Sequence, residues 1–459
     1  MTDILVGAEP TGPPADPAPG RTLEASTPAP AAGPTPTRRG RAVGSASAGR
    51  GKVVGSASAG LDQAVTPAPA RRSRIPRPGW RLVGPAFVVA VAYIDPGNFA
   101  TNMAAGARHG YQLLWVIGLA NVMAMFVQYL SAKLGAATGH SLPELCRQRW
   151  PRPVVRLMWA QAEVVVMATD LAEFVGAALA LHLLFGLPMP VAGLATAVGT
   201  SVLLLAGRRR FTVMIAVLLM AVVAAFLWQI GRAGIGGDVL GGLVPRIGDG
   251  DSILLACGIV GATVMPHAVY LHSGLTSDGG GHRLRDIRRD IMVALGIAGV
   301  ANLAMLMIAA AALHGRGGPF DTIDEIRGGL AAALGPAVGL VFALALLIAG
   351  LASACVGTRS GEMVMAGFLG TRIPTSVRRL VTMAPALVLL CTGVDPTAAL
   401  VISQVVLSFG LPFALIPLVV LTSRPDVMGQ AVNRRPTVVL GTTVAAVVCA
   451  LNLLLVLWG

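Results

Sequence analysis

The sequence predicts an all-α membrane protein of eleven transmembrane helices, built as two five-helix units of opposite orientation with one helix added. Three observations predict it. Hydrophobic residues make up 54% of the 459-residue chain and charged residues only 12%, with mean hydropathy +0.72, whereas a soluble domain carries about 25% charged residues. From residue 81 onward, apolar runs long enough to cross a bilayer, ~20 residues each, follow one another to the end of the chain. Two short runs, Asp95-Pro96-Gly97-Asn98 and Ala262-Thr263-Val264-Met265-Pro266-His267, interrupt the first and sixth of these at matching places. Pro96 and Pro266 are 170 residues apart, as are Asp95 and Met265, and Ala92 and Ala262. Five spans per unit is an odd number, so the second unit must insert upside down. Such inverted repeats bring two broken helices side by side at the bilayer midplane.

Residues 1–80 stand apart from this pattern. They are rich in Pro, Ala, Gly and Ser, and Gly40 to Gly49 is nearly repeated as Gly51 to Gly60. That composition cannot bury enough apolar surface to offset its ordering entropy, so a disordered cytoplasmic tail is expected. It lacks the apolar core of a secretory signal. Arg71, Arg72, Arg74, Arg77 and Arg81 abut the first span, either as a topology signal or as a contact for anionic lipid.

The membrane domain, 81–459, then reads in order. Repeat one, about 84–231, holds spans near 84–107, 113–136, 155–182, 188–206 and 211–231. Repeat two, about 252–421, holds spans near 252–275, 291–314, 336–358, 377–394 and 398–421, and an extra helix follows at about 437–458. Connections after even-numbered spans, counting Lys133 and Arg359 among them, carry 19 basic residues, and those after odd-numbered spans carry 5. The positive-inside rule therefore puts the amino terminus in the cytoplasm and the carboxyl terminus outside. The same asymmetry accounts for a net charge of +13 without nucleic acid. The cysteines are scattered with no C-x-x-C pair, which argues against disulfide and zinc frameworks.

Chemistry concentrates at the two breaks. Pro96-Gly97 unwinds the first span, and Pro266 leaves the Ala262 carbonyl without its donor four residues on. Freed backbone at membrane depth is tolerated only where it is buried in protein or lines a cavity. A lone proline is usually a dry kink, but here each break is flanked by a ligand-type side chain. Asp95 offers an anionic oxygen, Asn98 a neutral one and Met265 a thioether, a mixed set that suits a borderline divalent ion such as Mn²⁺ or Fe²⁺. On the third span, Asp170 and Glu173 share a helical face, with Glu163 seven residues before Asp170. They form either a proton route or a structural ion pair. His267 is either a proton-carrying group or an orienting partner for the site. Position alone reads Arg378 and Arg379 as positive-inside anchors.

The strings I-D-P-G-N-F-A-T-N (94–102), Q-A-E (161–163), M-A-T-D-L-A-E-F (167–174), G-A-T-V-M-P-H (261–267), Y-L-H-S (270–273) and S-Q-V-V-L-S-F-G (403–410) resemble the Nramp family, and within it the bacterial proton-coupled manganese transporters of the MntH group. The resemblance runs from about Gly84 to the end of the chain. It implies the LeuT-type fold and proton-coupled import of Mn²⁺, with Fe²⁺ and related ions. The metal ligands it implies are Asp95, Asn98, the Ala262 carbonyl and Met265, with the Ala92 carbonyl and Gln404 joining in particular conformations. It makes Asp95 central to proton coupling, joins Arg378 and Arg379 to the third-span carboxylates in a polar network, and gives Gln128 a gating role in the outer pathway. The tail is the departure from the family pattern.

These readings converge on a secondary transporter of the inner membrane, not an enzyme. Its partners are divalent transition metal ions, protons and lipid, it acts as a monomer, and it needs no resident cofactor because the metal is cargo. A sodium-coupled amino-acid carrier would place a carboxylate, Asp95, against its substrate's own. An intramembrane metalloenzyme would want H-E-x-x-H, which is absent from the sequence. A metal channel would need rings of ligands from several subunits.

Overall fold

The computed structural model describes residues 84–246, 248, 250–277, 283–318 and 320–458. The expected tail, 1–80, lies outside them. The described residues are helical throughout, with short connections. In chain order the helices are α1 (Pro85–Ala92), α2 (Pro96–His109), α3 (Leu114–Thr138), α4 (Leu142–Arg149), α5 (Arg152–Phe185), α6 (Met189–Leu204), α7 (Arg208–Ala233), α8 (Gly250–Thr263), α9 (Pro266–Ser277), α10 (Leu284–Leu313), α11 (Ile323–Leu334), α12 (Pro336–Leu369), α13 (Thr375–Thr392), α14 (Pro396–Thr422), α15 (Pro425–Met428) and α16 (Arg435–Trp458). Among the described residues nine stretches are long and apolar enough to cross a membrane, α8 and α9 counting as one. The 16-residue α6 is apolar but shorter.

Both breaks fall where the prolines require. α1 stops at Ala92 and α2 starts with Pro96, whose missing N–H is harmless in a first turn. α8 stops at Thr263 and α9 starts with Pro266. Asp95 caps α2, its carboxylate accepting from the Asn98 backbone N–H at 3.0 Å.

The apolar surface is divided as a bilayer demands. Phe99 of α2, Phe226 of α7 and Phe342 of α12 are buried and meet ring to ring, at 5.2 and 5.8 Å between centroids. Leu157, Leu205, Leu380 and Leu457 lie exposed on the outside, a position that suits contact with lipid rather than water.

The structure corrects the sequence reading in three places. The third, seventh and eighth spans are longer than expected, as α5, α10 and α12 carry their helices well past the apolar cores. Three connections contain helices of their own, α4, α11 and the one-turn α15. α4 and α11 each begin with a capping box, Ser141 with Glu144 and Thr322 with Glu325. Finally, many of the residues counted as loop charges are inside helices, Lys133 and Arg359 among them. Lys133 is buried in α3 and donates to the Asn433 amide oxygen at 2.7 Å. Arg359 lies in α12, paired with Glu362 at 3.1 Å and stacked over the Phe211 ring.

Candidate metal site

The two breaks meet through Asn98. Its side-chain nitrogen donates to Asp95 Oδ1 at 2.6 Å and reaches the Ala262 carbonyl of α8 at 3.4 Å. Gln404, from the middle of α14, donates from Nε2 to Asp95 Oδ2 at 3.2 Å. Asp95, Asn98, Ala262 and Gln404 therefore stand on one cluster, all buried. Met265 and Ala92 are fully buried at the ends of the two breaks.

The donor set is unbalanced in a telling way. Both amides turn a nitrogen toward Asp95 and leave an oxygen, Asn98 Oδ1 and Gln404 Oε1, buried without a hydrogen-bond partner. A buried acceptor without a donor is costly unless something else satisfies it. One carboxylate, two amide oxygens and a backbone carbonyl present together what a divalent cation accepts. Among the described residues there is no group of three or more His, Cys, Asp or Glu that could hold a metal, so no second, tighter centre competes with this one.

Backbone freed at the first break is held by residues that the motif reading left without roles. The Tyr93 carbonyl accepts from Asn302 of α10 at 2.8 Å, and Asn302 in turn accepts from Asn102 at 3.0 Å. The only sequence signal for Asn302 is a lone amide in an apolar span. Gln128 donates to the Tyr93 hydroxyl at 2.7 Å and meets His272 Nδ1 at 2.9 Å through its Oε1. The gating candidate is thus tied to both broken helices, through Tyr93 beside α1 and His272 of α9.

His267 follows the second break. Its Nδ1 lies 3.1 Å from the Thr169 hydroxyl of α5, and its carbonyl accepts from Ser360 at 2.7 Å. The Thr169 hydroxyl also lies 2.9 Å from the Val165 carbonyl. His267 Nε2 is buried without a hydrogen-bond partner.

The third-span carboxylates face α12 and α13. A Cβ on Gly357 would lie 2.5 Å from Glu173 Oε2 and 2.9 Å from Asp170 Oδ1, and one on Gly361 would lie 2.0 Å from Arg378 Nη2. Bare backbone at these two positions of α12 makes the space these charged groups occupy. Arg378 pairs with Glu163 at 2.8 Å. Arg379, beside it on α13, donates to Thr200 and, at 3.1 Å, to Ser201, both on α6. Both oxygens of Glu173 are buried without a hydrogen-bond partner. Asp170 and Glu173 are therefore not halves of a structural ion pair among the described residues.

Helices broken at mid-length around a lone buried carboxylate define a class, the membrane transporters that bind cargo between two half-helices. The family model for natural resistance-associated macrophage protein-like proteins, Nramp, matches residues 86–458, and the chain belongs to that family. The divalent metal cation transporter MntH of Mycobacterium tuberculosis is 50% identical over 395 residues, 82% of this chain and 91% of that protein. The MntH of Deinococcus radiodurans is 48% identical over 386 residues, 81% of this chain and 88% of that one. Among solved structures, the manganese transporter of Eremococcus coleocola superposes with TM-score 0.76 at 30% identity, covering 83% of this chain and 88% of that one. The structure of MhsT with L-phenylalanine, at 14% identity and TM-score 0.54, shares the fold alone. This chain is a multi-pass membrane protein that transports metal ions and is not an enzyme.

Proposed function

We propose that this chain imports Mn²⁺, and with it Fe²⁺ and related ions, across the inner membrane together with protons, by alternating access around α1–α2 and α8–α9. The observation that carries this reading is the Asn98 amide spanning the two breaks, with two buried amide oxygens around Asp95 left without donors. Asp95, Asn98, the Ala262 carbonyl and Met265 hold the ion, and Gln404 and the Ala92 carbonyl join as the helices move. The chain crosses the membrane eleven times as two inverted five-helix repeats and a final helix. Its amino terminus is cytoplasmic and its carboxyl terminus extracytoplasmic, and it works as a monomer.

Asp95, the free Nε2 of His267, and Asp170, Glu173 and Glu163 with Arg378 and Arg379 carry the proton. The unpartnered buried oxygens of Glu163 and Glu173 and Nε2 of His267 are atoms that water or a proton would satisfy. A dication moving inward gains about 2.3 kcal/mol per charge per 100 mV, and each proton adds the same.

Mn²⁺ uptake into proteoliposomes with an internal pH dye tests the reading. Uptake with matching internal acidification is expected. Uptake without acidification would refute the coupling, and no uptake under an inward-negative potential would refute the import reading as a whole.

A further inference from the structure

The last helix, α16, meets α14 where a proline interrupts its hydrogen bonding. Pro412 follows Ser408 by four residues, so the Ser408 carbonyl has no helical N–H to accept from. At this depth a freed carbonyl must find another donor inside the protein. Asn452 of α16 supplies it, donating from Nδ2 to the Ser408 carbonyl at 2.8 Å while its Oδ1 accepts from the Ser408 hydroxyl. One buried amide satisfies both polar groups of a single residue.

Ser408 lies one helical turn beyond Gln404, the α14 residue that reaches Asp95. On its other side it presses on the second broken helix. A Cβ on Gly261 would come within 2.7 Å of both Cβ and Oγ of Ser408, and the next residue is Ala262, whose carbonyl faces Asn98. Ser408 is held between α16 and the end of α8, with the Gln404 arm one turn away.

We infer that Asn452 is a positioning residue for the metal site. By closing the Pro412 gap it holds α14 in place one turn beyond Gln404, and so sets how far Gln404 extends toward Asp95. α16 is therefore part of the machinery that holds the ion, rather than a helix merely attached to it. This rests on the reading of Asp95 and Gln404 as metal ligands.

The test is a double-mutant cycle on the purified full-length protein, with Mn²⁺ affinity by calorimetry and thermal unfolding measured in parallel. Asn452→Ala and Gln404→Ala should each weaken Mn²⁺ binding about tenfold, and the double variant should fall no more than about twofold below Gln404→Ala, because one acts through the other. Unchanged affinity in Asn452→Ala, with or without a lowered unfolding temperature, would overturn the inference, as would a full additive loss in the double variant. If Asn452→Ala does not fold, Asn452→Leu, which fills the same space but removes the donor to the Ser408 carbonyl, replaces it in the same cycle and is read the same way. Absence of Mn²⁺ binding by the unmodified protein would instead overturn the metal-site reading beneath it.

Discussion

Gly97→Ala should disable the site while leaving the fold intact. A Cβ at Gly97 would lie 1.8 Å from Gln404 Nε2 and 2.3 Å from its Cδ. Ordinary contact needs roughly 3.5–4 Å, so the amide must retreat by about 2 Å. Its 3.2 Å hydrogen bond to Asp95 Oδ2 cannot survive that movement. Displaced in this way, Gln404 can no longer turn its Oε1 to the ion, and losing that ligand should cost about as much as losing a hydrogen bond to a charged group, about 1.5–3 kcal/mol. At about 1.4 kcal/mol per tenfold, this predicts Mn²⁺ affinity lower by roughly ten- to hundredfold. The empty protein should lose about 1–2 kcal/mol at most, since replacing a glycine of helical α2 by alanine returns about 0.5–1 kcal/mol of what the broken hydrogen bond costs. Calorimetry for Mn²⁺ and a thermal melt on the same preparation check both halves. A folded Gly97→Ala protein with unchanged Mn²⁺ affinity would refute the role given to Gln404.

Other outcomes follow from the same geometry. Met265→Ala leaves room for water and makes the shell all-oxygen, so Mn²⁺ uptake should persist while Cd²⁺ affinity falls about tenfold and millimolar Ca²⁺ begins to compete; competition uptake assays decide it. Glu173→Gln should weaken metal-evoked acidification, read with an internal pH dye, while Mn²⁺ binding stays within about tenfold, a coupling of ~1.4 kcal/mol. At the exposed Asp426, outside the spanning segments, the hydrogen bond from Arg149 holds the carboxyl below its ordinary 3.8. A depressed pKa adds stability above 3.8 that is lost as pH falls through the folded value. Asp426→Asn should therefore lower the unfolding temperature slightly at pH 7, leave uptake unchanged, and lose its difference from wild type as melts are taken to pH values at which the folded carboxyl is protonated.

Much of the fold could be read in advance because the bilayer removes choices. Every backbone group must be satisfied within its own segment, so apolar length alone marks the helices and a mid-span proline marks a break. α4 and α11 escaped because apolar length was the criterion applied. Their capping boxes, S-L-P-E and T-I-D-E, were available as a local signal. The long ends of α5, α10 and α12 escaped for a related reason, since helix continues past the hydrocarbon into polar sequence without any change of period.

Within the site, side chains on the broken helices were legible because a carboxylate, an amide and a thioether beside prolines have few other reasons to be there. Their supports were not. Asn302 and Asn452 donate to the Tyr93 and Ser408 carbonyls, opened by a helix break and by Pro412 far away in sequence, and a lone amide in an apolar helix does not name the carbonyl it will meet. Pro412 did announce that the Ser408 carbonyl needed a donor, but which helix would supply it is a tertiary fact. The contrast between Arg378 and Arg379 is of the same kind. Adjacent on α13, they are rotated about 100° apart by the helix, so one meets Glu163 and the other the hydroxyls of α6.

The composition of the site also bears on why the ion leaves. A resident metal is held by a closed set of strong ligands, and among the described residues no such set exists. Asp95 is the one anion in a group otherwise made of amides and a backbone carbonyl, and its oxygens already accept from Asn98 and Gln404. An arriving cation must displace those amide protons, and a departing one gives them back. The internal hydrogen bonds therefore compete with the metal, keeping the empty site stable at membrane depth. A transported ion has to bind firmly enough to enter and weakly enough to leave. A lone carboxylate whose neighbours turn either an N–H or an oxygen toward the centre meets both demands.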